Sequence, residues 1–229
     1  MKKLGIIGIA LGISFLVIVF LFIGLRLSGM LQYYNISSIS NLPNLKVEEH
    51  IFATKFKKPE RLDFICYSGT TPFTNKKEGY VHRLCASGGD KVEIRDGILF
   101  VNGRNIDSNI QLHLPFEVSK KYLPTLDKLG KDVYSDTVDI SADSMVVFYT
   151  TKQIIQKNKI VAKPFIFPKE YTDEFILKKW GKKWNADQFG PVIVPENCFF
   201  VLGDNRHNAL DSRYNGFISQ KDFKGTVLK

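Results

Sequence analysis

The chain has 229 residues, a formal net charge of +9 and a pI near 9.3. Its 44% hydrophobic and 13% aromatic content is that of a folded protein with a core to bury, in one medium domain or one domain with an inserted lobe. The lysines are scattered among apolar residues, with no zinc-ligand spacing, no phosphate-binding glycine-lysine loop and no aromatic RNA-binding motif, so no nucleic-acid partner and no cofactor are expected.

Met1-Lys2-Lys3 precedes an uncharged run from Leu4 to Leu25. Such a run is long enough to cross a hydrocarbon core of roughly 30 Å. It is longer than the apolar core of a cleaved leader, and Leu25-Arg26-Leu27-Ser28-Gly29 lacks a small-x-small cleavage site, so residues 1–29 are expected to be an uncleaved anchor. Lys2 and Lys3 favour a cytoplasmic N-terminus, with the remaining chain on the extracytoplasmic side of the membrane; Arg26 on the far side opposes this. A basic domain beside the membrane also suits contact with anionic lipid.

Tyr33-Tyr34 stands where a membrane interface would lie. Ser37-Ser38-Ile39-Ser40-Asn41-Leu42-Pro43-Asn44-Leu45 reads, by itself, as a polar linker. His50 to Phe56 alternates as a strand does, and Arg61-Leu62-Asp63-Phe64-Ile65-Cys66-Tyr67 leads into a second. Glu78 to Val92 carries Val81-His82-Arg83 and Gly88-Gly89-Asp90. Ile94 to Gly103 is a hairpin pattern with turns at Asp96-Gly97 and Asn102-Gly103. Residues 104–183 show no recognisable chemistry; Asp136–Ile140 and Met145–Thr151 read as strands, Tyr171–Trp180 has helical spacing, and His113 is expected at the surface. Cys66, Cys85 and Cys198 sit in apolar surroundings as buried thiols, with one disulfide as the alternative.

Phe199-Phe200 enters Val201-Leu-Gly203-Asp204-Asn205-Arg206-His207-Asn208-Ala209-Leu210-Asp211-Ser212-Arg213-Tyr214-Asn215-Gly216, a buried strand running into a polar turn. In an extended segment Asp211 and Arg213 would point to one side as a fixed pair. A structural turn closing a β domain accounts for these residues as they stand.

Gly203-Asp204-Asn205-Arg206…Asp211-Ser212-Arg213 resembles the last box of the type I signal peptidases, membrane-anchored serine proteases that cut signal peptides from exported proteins. Ser38-Ile39-Ser40-Asn41-Leu42-Pro43-Asn44-Leu45 is similar to their Ser-x-Ser-Met-x-Pro-Thr-Leu, with Asn41 for methionine and Asn44 for threonine. Arg61-Leu62-Asp63 resembles their Arg-Gly-Asp. His82-Arg83…Gly89-Asp90-Lys91-Val92 resembles the dyad box that reads Lys-Arg…Gly-Asp-x-Val in bacteria.

The resemblance implies Ser40 as nucleophile, with Ser38 and the Ser40 N–H receiving the oxyanion. His82 then stands in the place of the bacterial lysine, and Ala209 in the place of the serine that orients that lysine. A histidine base needs no desolvation to titrate near neutrality, and the endoplasmic-reticulum and archaeal branches of the family also carry histidine before arginine here. Activity lost below about pH 6 is expected from an unperturbed imidazole. A carboxylate is expected to hold the tautomer of His82, with Asp204 and Asp211 as candidates and Asp211 better matched to Arg213.

The implied fold is mainly β: an N-terminal transmembrane helix and an antiparallel catalytic core in residues 30–103 and 184–229, interrupted by a variable lobe over 104–183. The implied substrates are signal peptides of translocated preproteins. Two alternatives remain: a catalytically decayed homologue that binds peptides or assists assembly, and His82 as an ordinary strand residue.

Overall fold

The computed structural model describes residues 2–71, 76–129, 138–139 and 144–228. Helix α1 (Lys2–Leu27) stands away from the rest, and none of its Ala10–Leu27 window is buried. A helix of this length and composition can cross a membrane, and its leucines, isoleucines and phenylalanines are exposed along it.

Strands β1 (Leu31–Asn35), β2 (His50–Thr54), β3 (Phe64–Thr70) and β4 (Lys77–Ser87) follow. Next comes a meander of β5 (Lys91–Arg95), β6 (Ile98–Val101) and β7 (Arg104–Asn105). Asp96, Gly97, Asn102 and Gly103 all have positive φ, the geometry that two-residue hairpin turns require.

The lobe contains β8 (Leu114–Ser119), α2 (Leu123–Asp127), β9 (Val138–Asp139), β10 (Met145–Thr150), α3 (Lys152–Lys157) and β11 (Ala162–Pro164). Then come α4 (Glu174–Trp180), β12 (Phe189–Ile193), β13 (Cys198–Leu202), α5 (Ser212–Asn215), β14 (Ile218–Ser219) and β15 (Phe223–Leu228).

The principal sheet has the order β1-β2-β15-β3-β4-β13-β14, and its pairings are antiparallel. A second sheet, β12-β5-β6-β7, packs against it through Ile94, Leu99, Val101, Phe189 and Phe200. The lobe has its own sheet, β11-β8-β10-β9, with Phe116, Val118, Val146 and Phe148 in a separate core. Helix α4 does not belong to that core: Ile176 and Trp180 join the main one. Of the strand expected over 136–140, Val138–Asp139 is seen and the remainder lies outside the described residues.

Two expectations are corrected. His113 is fully buried: its backbone bridges to Asn205, donating to the Asp204 carbonyl and accepting from the Arg206 N–H, so the connection into the lobe is sealed under the final loop. The Asp211–Arg213 segment is a helical turn, with Asp211 as the N-cap of α5 accepting from the Arg213 N–H. The cysteines are free thiols, and burial pushes those of Cys66 and Cys85 up to about 12.

Candidate active site

Residues 36–45 are folded tightly against the sheet. Leu42 and Leu45 enter the core, and backbone bonds from Leu42 to Ile39 and from Asn44 and Leu45 to Asn41 wind the segment into turns. The two asparagines that depart from the expected motif fasten it. Asn41, fully buried, donates from its amide to the Val81 carbonyl on β4 at 2.7 Å. Asn44 donates to the Asp204 carboxylate and to the Gln111 carbonyl, each at 2.7 Å.

The final loop holds the same segment from the other side. The Asn205 backbone donates to the Ser40 carbonyl at 3.0 Å and the Asn205 amide to the Ile39 carbonyl at 3.1 Å. Gly203 makes this approach possible: a β-carbon there would lie 2.5 Å from the Ser40 carbonyl oxygen and 2.3 Å from the β-carbon of Ala209.

Ser40 is buried while Ser38 is exposed, and their hydroxyls are 2.9 Å apart. The Asn41 amide lies 3.3 Å from the Ser40 hydroxyl. The Ser40 N–H is not taken by any described residue.

His82, on β4, is 2% exposed. Its Cδ2 lies 3.4 Å from where a Gly203 β-carbon would sit, so the ring and the Ser40 carbonyl both approach the same glycine. The structure brings Ser40 and His82 to one place without a hydrogen bond between them. Catalytic hydrogen bonds are commonly long or absent until substrate is bound.

Neither expected carboxylate touches the imidazole. Asp204 makes a paired contact with Arg83 (Nε to Oδ1 at 2.7 Å, Nη2 to Oδ2 at 2.5 Å), and Asp211 makes one with Arg213 (2.9 and 2.7 Å). The group against His82 Nδ1 is the Tyr67 hydroxyl, at 2.8 Å. Burial is the main cause that pushes the imidazole down to about 4; Arg213 adds to this, and Asp211 and Asp204 oppose it. The expectation of an acid limit near pH 6 takes the imidazole as unperturbed, and burial perturbs it.

Arg213, 1% exposed, also donates to the Ala186 and Arg206 carbonyls, and Arg206 pairs with Asp107. Three ion pairs (Arg83–Asp204, Arg206–Asp107 and Arg213–Asp211) thus fix the loop over the site. Paired, hydrogen-bonded charges of this kind hold geometry more than they add stability.

The family profile described as "Signal peptidase, peptidase S26" matches residues 8–228. The chain belongs to the signal peptidase family, peptidase S26. A Signal peptidase I of Buchnera aphidicola is 28% identical over 220 residues, spanning 85% of this chain and 67% of that protein. One from Aquifex aeolicus is 26% identical, spanning 86% and 74%. Signal peptidase I P of Bacillus subtilis subsp. natto is 26% identical, spanning 95% and 80%.

For a signal peptidase, Tyr67, Asn41 and Asn44 are the contacts that motif reading missed. Tyr67 had one usable signal: Phe64–Thr70 pairs in register with Lys77–Ser87, placing Tyr67 opposite Tyr80 and diagonally beside His82 on one face.

Proposed function

We propose that this chain is a membrane-anchored endopeptidase that removes signal peptides from translocated preproteins, with Ser40 as nucleophile and His82 as its base. The observation that carries the residue assignment is the junction at Gly203, where the Ser40 peptide and the Cδ2 edge of His82 meet over one glycine.

In this reading His82 Nε2 takes the Ser40 hydroxyl proton as Oγ attacks the scissile carbonyl carbon. The carbonyl electron pair moves to oxygen, which the Ser38 hydroxyl and the Ser40 N–H receive. The imidazolium then protonates the leaving amine, and the C–N bond breaks to leave an ester on Ser40. Water, giving one proton to His82, attacks the ester; the Oγ–acyl bond breaks, the carboxylic product leaves, and His82 returns that proton to Ser40 Oγ. Lys2 and Lys3 at the start of α1 support an extracytoplasmic location for this chemistry, where a preprotein emerges.

Cleavage of a preprotein by the full chain in lipid or detergent tests the proposal, beside Ser40→Ala and His82→Ala. Cleavage by wild type that both substitutions abolish is the expected result. A folded wild type with no activity toward several preproteins would favour the decayed-homologue reading.

A further inference from the structure

We infer that Tyr67 is a positioning residue for the reaction, holding the His82 ring in the orientation and tautomer that leave Nε2 open to Ser40. This rests on the Ser40–His82 reading above. Tyr67 Oη lies 2.8 Å from His82 Nδ1, and both side chains are almost wholly buried. The contact is built into the sheet: Ile65 pairs with His82 and Tyr67 with Tyr80, so adjacent rungs deliver both rings to one face.

Three rings pack there. Tyr67 stacks on Tyr80 at 5.6 Å, and His82 lies 6.1 Å from Tyr80 and 6.0 Å from Tyr67. The packing restricts rotation about χ2 of His82, and the hydroxyl selects between its two ring flips.

Among the described residues, no other polar group is hydrogen-bonded to Nδ1. The groups facing His82 are Tyr67 from β3, Tyr80 from β4, and Asp204, Asp211 and Arg213 from the final loop; Asp204 is committed to Arg83 and Asn44, and Asp211 to Arg213 and the Gly203 N–H. Residue 209, beside Gly203, is alanine and offers no polar atom.

A neutral imidazole has one N–H. In the proposed state Nδ1–H is donated to Tyr67 Oη, which puts the lone pair on Nε2, free to accept from Ser40. When Nε2 accepts the Ser40 proton, Nδ1–H stays on the phenol oxygen, which therefore supports the cation as well as the base. Burial holds the Tyr67 phenol well above its ordinary range, so this acceptor is neutral throughout. A neutral oxygen supports an imidazolium less than a carboxylate does, in keeping with an imidazole of low basicity.

Tyr67→Phe keeps the ring and removes the hydroxyl. Preprotein cleavage is expected to lose about 10- to 100-fold in kcat, less than the roughly ten-thousandfold cost of losing a carboxylate orienter, with KM changed less than about two-fold. The acid limb of the rate profile is expected to move lower, because the imidazolium has lost an acceptor. Nitrogen NMR of His82 in the wild-type full chain in detergent is expected to show Nδ1 protonated, and the variant a mixture of tautomers.

A wild-type ring protonated on Nε2 overturns the inference, as does a Tyr67→Phe variant with unchanged kcat or an acid limb moved upward. With His82→Ala inactive, a fully active Tyr67→Phe removes only the role of Tyr67. A fully active His82→Ala removes the base assignment and the role of Tyr67 with it. The NMR result on wild type decides the tautomer even where Tyr67→Phe does not fold.

Discussion

Asn205 donates its backbone N–H to the carbonyl of Ser40, so the peptide of the candidate nucleophile is held by a loop that lies far away in the sequence. These two segments and His82 share one tightly packed space around Gly203.

Gly203→Ala introduces a methyl 2.5 Å from the Ser40 carbonyl oxygen and 2.3 Å from the Ala209 β-carbon. Neither neighbour is the end of a flexible side chain, so the backbone must separate. Overpacking of this kind costs about 1–3 kcal/mol. Thermal unfolding is expected to show that loss, and cleavage to fall at least about 100-fold, since a displacement near 1 Å is enough for that. An active Gly203→Ala would mean the loop and Ser40 separate freely.

Removing either member of the Asp211–Arg213 pair leaves a buried charge without its partner. Arg213→Ala or Asp211→Ala is expected to destabilise the fold by about 3–5 kcal/mol in denaturant unfolding. Arg213→Lys is expected to recover little. One ammonium cannot reproduce the fork that serves the two oxygens of Asp211 as well as the Ala186 and Arg206 carbonyls.

With His82 as the proposed base, the pH dependence of cleavage follows its ionisation. Its pKa is pushed down to about 4 mainly by burial, so the base stays neutral through the mildly acidic range. The acid limb of kcat/KM is expected near pH 4, well below that of a free imidazole. A limb at the ordinary histidine value would place His82 in water in the active enzyme.

The same shift has a stability consequence of definite sign. Between about 6.5 and 4 the unfolded chain binds a proton on His82 and the folded chain does not. Stability is therefore lost as pH falls through that window, by about 3 kcal/mol in full. His82→Gln, unable to titrate, is expected to show a shallower fall in unfolding temperature over this range. Parallel curves for the two proteins would refute the buried neutral imidazole.

The anchor, the hairpin turns and the boxes around Ser40, His82 and Asp211 were legible because each carries a local pattern: a long uncharged run, Asp-Gly and Asn-Gly pairs, fixed spacings. What was not legible depends on register between strands. Tyr67 reads as one more apolar strand residue until β3 is aligned on β4. Asn41 and Asn44 look like losses from a motif until Val81 and Asp204 are found opposite them. His113 was misplaced because a lone histidine in a proline-punctuated stretch gives no hint that the final loop will pair with it. Asp211 and Arg213 were correctly matched, but through a helical cap instead of an extended segment.

In the principal sheet, β15 lies between β2 and β3, strands that are far earlier in the chain. The loop that grips Ser40 likewise comes more than 160 residues after it, as the bond between Asn205 and Ile39 shows. Biosynthesis therefore has an order built into it. Until those late segments have been made, the sheet lacks a middle strand and the Ser40 peptide lacks the loop that holds it. The site as folded here is therefore a late product of synthesis, closed only once β15 has joined the strands made before it.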